Sequence, residues 1–227
     1  TSLRELGRVH SASSAKRAFN VARDVGFNNI NIDLMHGLPE QSVDAAMSDL
    51  QQAIDLSPEH ISWYQLTIEP NTVFYKQQPP LPEDEALAII SDAGAALLAE
   101  NKYNQYEVSA YAKKGKESKH NLNYWRFGDY LGIGAGAHGK RTDASGGRIS
   151  RRWKRRMPSE YMTNHEKLAG EERIDVAELP LEFMMNAFRL TNGFELDLFE
   201  QKTGISIKTI SETLDVLAND DLIELSD

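Results

Sequence analysis

No cysteine occurs in the 227 residues. This chain therefore supplies no disulfide, no thiolate ligand for zinc or an iron–sulfur cluster, and no cysteine nucleophile. No run approaches the ~18 apolar residues that a membrane helix needs. The first residues, Thr1-Ser2-Leu3-Arg4-Glu5, have no signal-peptide apolar core. His-Glu-x-x-His is absent, and the histidines at positions 10, 36, 60, 120, 138 and 165 are scattered, which argues against a hydrolytic zinc site. Gly-x-Ser-x-Gly is absent too, so no nucleophile elbow is expected. What is present is 41% hydrophobic and 26% charged, the composition of a folded globular chain.

Positive charge is scarce overall and unevenly spread. The net charge is −9 from 25 basic and 34 acidic residues. From Glu171 to Asp227 there are 14 acids and 4 bases, so the tail carries −10 and the first 170 residues carry +1. Against that background, Arg148 to Arg156 packs six bases into nine residues. This run suits either a solvated hairpin edge or a grip on phosphates and carboxylates.

Apolar spacing predicts a helix over 13–25, through Ala15, Ala18, Phe19, Ala22 and Val25, closed by Gly26. A strand follows at Ile30–Met35, ended by His36-Gly37-Leu38-Pro39. Ser42 is placed to cap a helix that Ser57-Pro58 ends. Further strands are expected at His60–Ile68, Tyr106–Tyr111 and Tyr130–Gly134, with a helix at Glu83–Glu100. This alternation reads as an α/β sheet or barrel. A barrel of this kind places chemistry at the C-terminal strand ends: 33–39, 67–70, Ser109 onward and 134–138. Ser145-Gly146-Gly147 reads as a flexible turn. The tail reads as helices at Leu179–Thr191, Glu195–Thr203 and Ser206–Asn219, turned at Thr203–Ser206 and followed by a strand at Leu222–Leu225. That is a winged-helix-like pattern. Its −10 charge argues against nucleic acid as a partner.

Gly134-Ala-Gly-Ala-His-Gly139 fits G-x-G-x-x-G, but no helix is expected after it, so a dinucleotide site is disfavoured. The glycines suit close backbone approach instead. Asp33, expected at a strand end, suits a ligand's hydroxyl or ammonium donors, or else caps the next loop. His120-Asn-Leu-Asn-Tyr-Trp125 is the densest chemical segment. Its imidazole suits haem iron and its flat rings suit a macrocycle. A packed aromatic corner with one satisfied histidine is the alternative.

Four ordered segments carry a resemblance: Leu6-Gly-Arg-Val-His-Ser11, Asn31-Ile-Asp-Leu-Met-His-Gly-Leu-Pro39, Tyr64-Gln-Leu-Thr-Ile-Glu-Pro-Asn-Thr72 and Asp129-Tyr-Leu-Gly-Ile-Gly-Ala-Gly-Ala-His138. They resemble the radical S-adenosylmethionine (SAM) proteins related to oxygen-independent coproporphyrinogen oxidase. His-Asn-x-x-Tyr-Trp at 120–125 is similar to the mark of their HemW-type haem-chaperone branch. The resemblance implies a partial (β/α)6 barrel over 1–145, a basic hairpin or linker and helix over 146–170, and a winged-helix-like domain over 171–227. It implies SAM contacts at Arg8 and Asp33, with Thr67 and His138 further along the same site. It implies haem contacts at His120, Asn121, Tyr124 and Trp125, with His120 toward the iron.

In that family a cysteine motif and a glycine-rich strand precede these segments, and they are expected upstream of Thr1. The [4Fe–4S] cluster then belongs to a longer parent, and this chain alone is expected to be catalytically inactive. An open sheet edge would be covered by dimerisation or domain swapping. The implied function is haem delivery to respiratory haem proteins, in the cytoplasm and peripherally at the membrane. The alternative is oxidative decarboxylation of coproporphyrinogen propionates.

Overall fold

The computed structural model describes Leu3, residues 6–143 and residues 147–225. Two of the three residues of the expected 145–147 turn, Ser145 and Gly146, lie outside the described residues. The chain divides into two compact units, residues 1–118 and 119–227. The break falls inside the stretch 1–145 that the resemblance treats as one barrel.

In the first unit, helix α1 (Ala12–Asp24) starts where the Ser11 hydroxyl accepts the Ser14 amide at 3.2 Å. It ends where Gly26 takes φ +100° and the Phe27 amide returns to the Ala22 carbonyl. The spacing located this helix correctly but overstated its buried face. Phe19 alone is buried, while Ala15, Ala18 and Val25 are exposed.

Strand β1 (Asn31–His36) pairs in parallel with β2 (His60–Gln65), Asn31 opposite His60 and His36 opposite Gln65. Helix α2 (Val43–Asp55) begins on the Ser42 hydroxyl, which accepts the Ala45 amide at 3.2 Å. Helix α4 (Asp84–Glu100) covers the same sheet face; before it lies a short α3 (Val73–Gln77), which the sequence reading missed. Leu50 of α2, Ile61 and Trp63 of β2, and Ile90 and Leu98 of α4 form the core. Each such buried aliphatic side chain contributes about 1.5–3 kcal/mol. Gly94 is required here, because a Cβ would stand 2.7 Å from Trp63 Nε1.

Two expected strands are corrected in this unit. The His60–Ile68 run ends at Gln65, with Leu66 giving the last ladder bond to the His36 carbonyl at 2.8 Å. Tyr106–Tyr111 is not one strand but the tip of a hairpin, β3 (Asn104–Glu107) and β4 (Ala110–Ala112). Glu107 turns the chain by accepting the Ser109 amide and hydroxyl. The sheet order β1-β2-β4-β3 is therefore mixed, parallel only at β1–β2, and β1 is an edge among the described residues.

The second unit opens with α5 (Lys119–Trp125) and builds an antiparallel sheet from β5 (His138–Thr142), β6 (Ile149–Lys154) and β7 (Leu168–Arg173), in that order. Between β6 and β7 runs α6 (Pro158–Thr163). The basic run thus forms the central strand, not a hairpin edge. Arg152 pairs with Glu171 at 2.9 Å, Arg148 with Asp143 at 3.1 Å, and Arg151 with Glu182.

Tyr130–Gly134 is not a strand; a single bridge joins Tyr130 to Lys140. The glycines there do permit close approach, since a Cβ on Gly132 would meet the His138 carbonyl oxygen at 2.3 Å. A strand rather than a helix follows Gly134–Gly139, which agrees with rejecting a dinucleotide loop.

The tail folds as α7 (Leu179–Ala187), α8 (Leu196–Thr203), a short 3-10 turn (Ile207–Thr209) and α9 (Ser211–Asn219). Gly204 turns between them at φ +72°. The expected strand at Leu222–Leu225 does not form; Leu222 and Leu225 are exposed with no strand beside them among the described residues. Phe127, Ile149, Phe183 and Phe199 form this unit's core, with Phe183 edge-on to Phe199 at 5.3 Å.

Candidate functional site

Helix α5 gathers most of the aromatic motif. His120 and Tyr124 lie four residues apart and therefore share a helix face. Their rings meet edge to face at 4.8 Å, and Tyr124 packs against Tyr130 at 4.4 Å. His120 is exposed on the first turn, while Tyr124 and Tyr130 are half-buried. Burial, then Tyr124, pushes the Tyr130 phenol up. The result is an aromatic cluster of mutually tilted rings with an imidazole on its rim. Trp125 faces elsewhere: the Arg189 guanidinium covers its ring at 4.4 Å, and its Nε1 is buried with no acceptor among the described residues. Asn121 is half-buried on the same helix.

The exit from α5 is held tightly. Phe127 takes a left-handed φ of +53°, and the Gly128 amide returns to the Asn123 carbonyl at 2.7 Å. A Cβ on Gly128 would lie 2.1 Å from Asn123 Oδ1, so only glycine fits. Lys140, buried from β5, donates to the Phe127 carbonyl at 2.9 Å and sits 3.8 Å above the Phe127 ring. Burial pushes its amine down, against the pull of Asp129. Burial alone would raise Asp129, but the Thr142 amide and hydroxyl and the Lys140 charge outweigh it and hold the carboxyl low.

The four residues expected around SAM are distributed differently. Arg8, Asp33 and Thr67 belong to the first unit, and all are exposed. His138 belongs to the second, opening β5 and stacking on Trp153 at 6.4 Å. Asp33 is not the strand end; it is the third of six residues in β1, which His36 ends. It points to the polar sheet face opposite the helices, with Asn31 and Met35, because side chains alternate.

That face holds a network the sequence reading missed. Asn31 Nδ2 donates to Asp33 at 2.8 Å, His60 Nδ1 meets Asn31 Oδ1 at 2.6 Å, and Tyr106 OH meets His60 Nε2 at 2.7 Å. The Asn31 oxygen fixes Nδ1 as donor, so neutral His60 accepts from Tyr106. Burial lowers the His60 pKa, and Asp33 and then Glu117 oppose it. The available signal was the Asn31/Asp33 alternation facing a histidine at the start of the next strand.

At the end of β1, His36 is 4% exposed and stacks on Trp63 at 4.4 Å. Its Nδ1 and the Trp63 Nε1 have no partner among the described residues. Burial depresses the His36 pKa to about 4. No cluster of three or more histidine, aspartate or glutamate residues is arranged to hold a metal ion among the described residues. No described helix is long and apolar enough to cross a membrane.

Residues 174–227 match the family of the HemN C-terminal domain. The chain is 51% identical over 213 residues to the haem chaperone HemW of Haemophilus influenzae, covering 94% of this chain and 55% of that protein. It is 48% identical over 226 residues to the haem chaperone HemW of Escherichia coli K12, covering 99% and 59%. The chain thus spans a little over half the length of these relatives. In structure it is similar to coproporphyrinogen III oxidase (HemN) of Escherichia coli, described as a radical SAM enzyme, with a TM-score of 0.76 over 99% of this chain and 56% of that one. At 17% identity that likeness establishes the fold.

Proposed function

The chain is a homologue of the HemW haem chaperones over nearly its whole length, and from that premise we propose that it forms the haem-holding part of a haem chaperone. The observation that carries this reading is the His120–Tyr124–Tyr130 surface. An exposed imidazole on the rim of two packed rings offers an iron ligand beside an aromatic face. Asn121 lies on the same short helix and completes the proposed contact set, whereas Trp125, expected as a contact, turns to Arg189 instead. Haem is the cargo, and respiratory haem proteins are the recipients in this reading, in the cytoplasm and at the membrane surface.

Arg8, Asp33, Thr67 and His138 are proposed SAM contacts. Asp33 supports this best. It is exposed on the polar sheet face and oriented by Asn31, so it suits a hydroxyl or ammonium donor. A cysteine-held [4Fe–4S] cluster does not fit the residues present, because the chain has no cysteine. In a longer parent the cluster would supply the electron for SAM cleavage. The edge of β1 is a proposed seat for further chain or for a second copy.

Titrating hemin into the chain tests the central reading. A saturable Soret band is expected, and His120→Ala with Tyr124→Ala should remove it at unchanged far-UV circular dichroism. Equal haem stoichiometry in the double variant overturns the assignment.

A further inference from the structure

The three-stranded sheet of the second unit has two unlike faces. Alternation along β6 sends Ile149 and Arg151 to the side that packs on Phe127 and α7. It sends Ser150 and Arg152 to the other side. Cross-strand register aligns Arg141, Ser150 and Arg173 in one row, and Gly139, Arg152 and Glu171 in the next. Arg141, Arg148, Arg152 and Arg173 line one open cavity of about 520 Å³, together with Asp143 and Glu171. Four guanidiniums therefore face two carboxylates in a chain whose net charge is −9.

The pairing inside the cavity is incomplete. Asp143 takes Arg148, and Glu171 takes Arg152. Arg141 and Arg173 make no ion pair among the described residues. Arg152 keeps a buried Nε–H with no acceptor among them. Because Arg141 and Arg173 flank Ser150 across two strand spacings, their backbones stand about 10 Å apart. The planar guanidinium fork matches oxyanions two bonds at a time, and a concave surface with an excess of one charge concentrates its counter-charge.

We propose that this arginine-lined sheet face is a binding site for a small anion carrying two oxyanion groups, a diphosphate or a dicarboxylate, separate from the His120 surface. Arg141 and Arg173 each take one group, and Ser150 stands between them in the same cross-strand row. The basic run thereby gains a role that its place as a central strand, rather than an edge, leaves open.

The test uses the whole chain at low ionic strength, with inorganic pyrophosphate and succinate as separate probes. Binding is read by calorimetry and by the arginine Nε–Hε signals in nitrogen-edited NMR. Saturable binding of either probe with shifts at Arg141, Arg152 and Arg173 is expected, and the probe preferred identifies the oxyanion class. Arg141→Gln with Arg173→Gln should weaken it at least tenfold and leave the hemin Soret titration unchanged. Lys76→Gln with Lys102→Gln removes the same charge from the first unit and should weaken it far less. The proposal is overturned if neither probe saturates, if the arginine variant binds as well, if the lysine control weakens binding equally, or if the arginine variant loses haem uptake instead.

Discussion

Residues 1–118 start three helices on side-chain hydroxyls, Ser11, Ser42 and Thr72, each accepting an amide from the first turn. In residues 119–227 the corresponding positions before α6, α7, α8 and α9 are Met157, Glu178, Glu195 and Ile210, and none makes a capping bond. The second unit relies on long-range contacts instead: a cluster of edge-to-face phenylalanines, and a lysine whose charge is buried against a carbonyl and a ring. Among buried titratable groups, Lys140 in the second unit and His60 in the first are supplied with partners, whereas burial keeps His36 neutral. One unit is specified largely by local signals and the other largely by tertiary packing.

The largest expected effect tests the second half of that contrast. Phe183 is fully buried and touches Phe127, Phe194 and Phe199. Phe183→Ala should cost about 3–5 kcal/mol, seen by chemical denaturation in a Trp63→Phe background, where the remaining tryptophans belong to the second unit. Loss of the first unit's structure in the same step would break the distinction between the units.

Acid should act on the first unit. His36 is held neutral in the fold with its pKa lowered from 6.5 to about 4, so below pH 6.5 the unfolded chain takes up a proton that the folded one refuses. Stability attached to this group is present above pH 6.5 and lost as pH falls toward 4, by about 3 kcal/mol. His36→Phe, which keeps a ring on Trp63, should flatten that window in denaturation curves taken at several pH values. An unchanged slope would show that the burial of His36 does not matter to folding.

The smallest effects concern caps. Ser42→Ala should cost about 1 kcal/mol, and Glu195→Ser, at an extended uncapped position, should add about 0.5–1 kcal/mol. Thermal melting of the two variants should move in opposite directions. Equal, negligible shifts would remove capping from the contrast.

The same contrast explains what was legible in advance. Helices α1, α2 and α4 and strand β1 announce themselves by apolar spacing, Ser42, an acidic first turn, Gly26 and Gly37, all local signals. The hairpin at Glu107–Ser109 and strands β5 to β7 do not, because their hydrogen bonds depend on partners distant in sequence and on glycines that admit a neighbouring backbone. The His120 motif was legible as chemistry, since imidazole, phenol and indole stand within six residues. Its division was not: Tyr130 joins His120 and Tyr124, whereas Arg189 claims Trp125. The Asn31–His60–Tyr106 network required the parallel register of β1 and β2 to bring its members together.

The His36–Trp63 stack has an optical consequence. An imidazolium held 4.4 Å from an indole accepts an electron from its excited state, whereas a neutral imidazole does so poorly. The emission of Trp63 therefore encodes the protonation of the one ring beneath it. As pH descends toward 4, fading of that emission marks the arrival of a proton on His36.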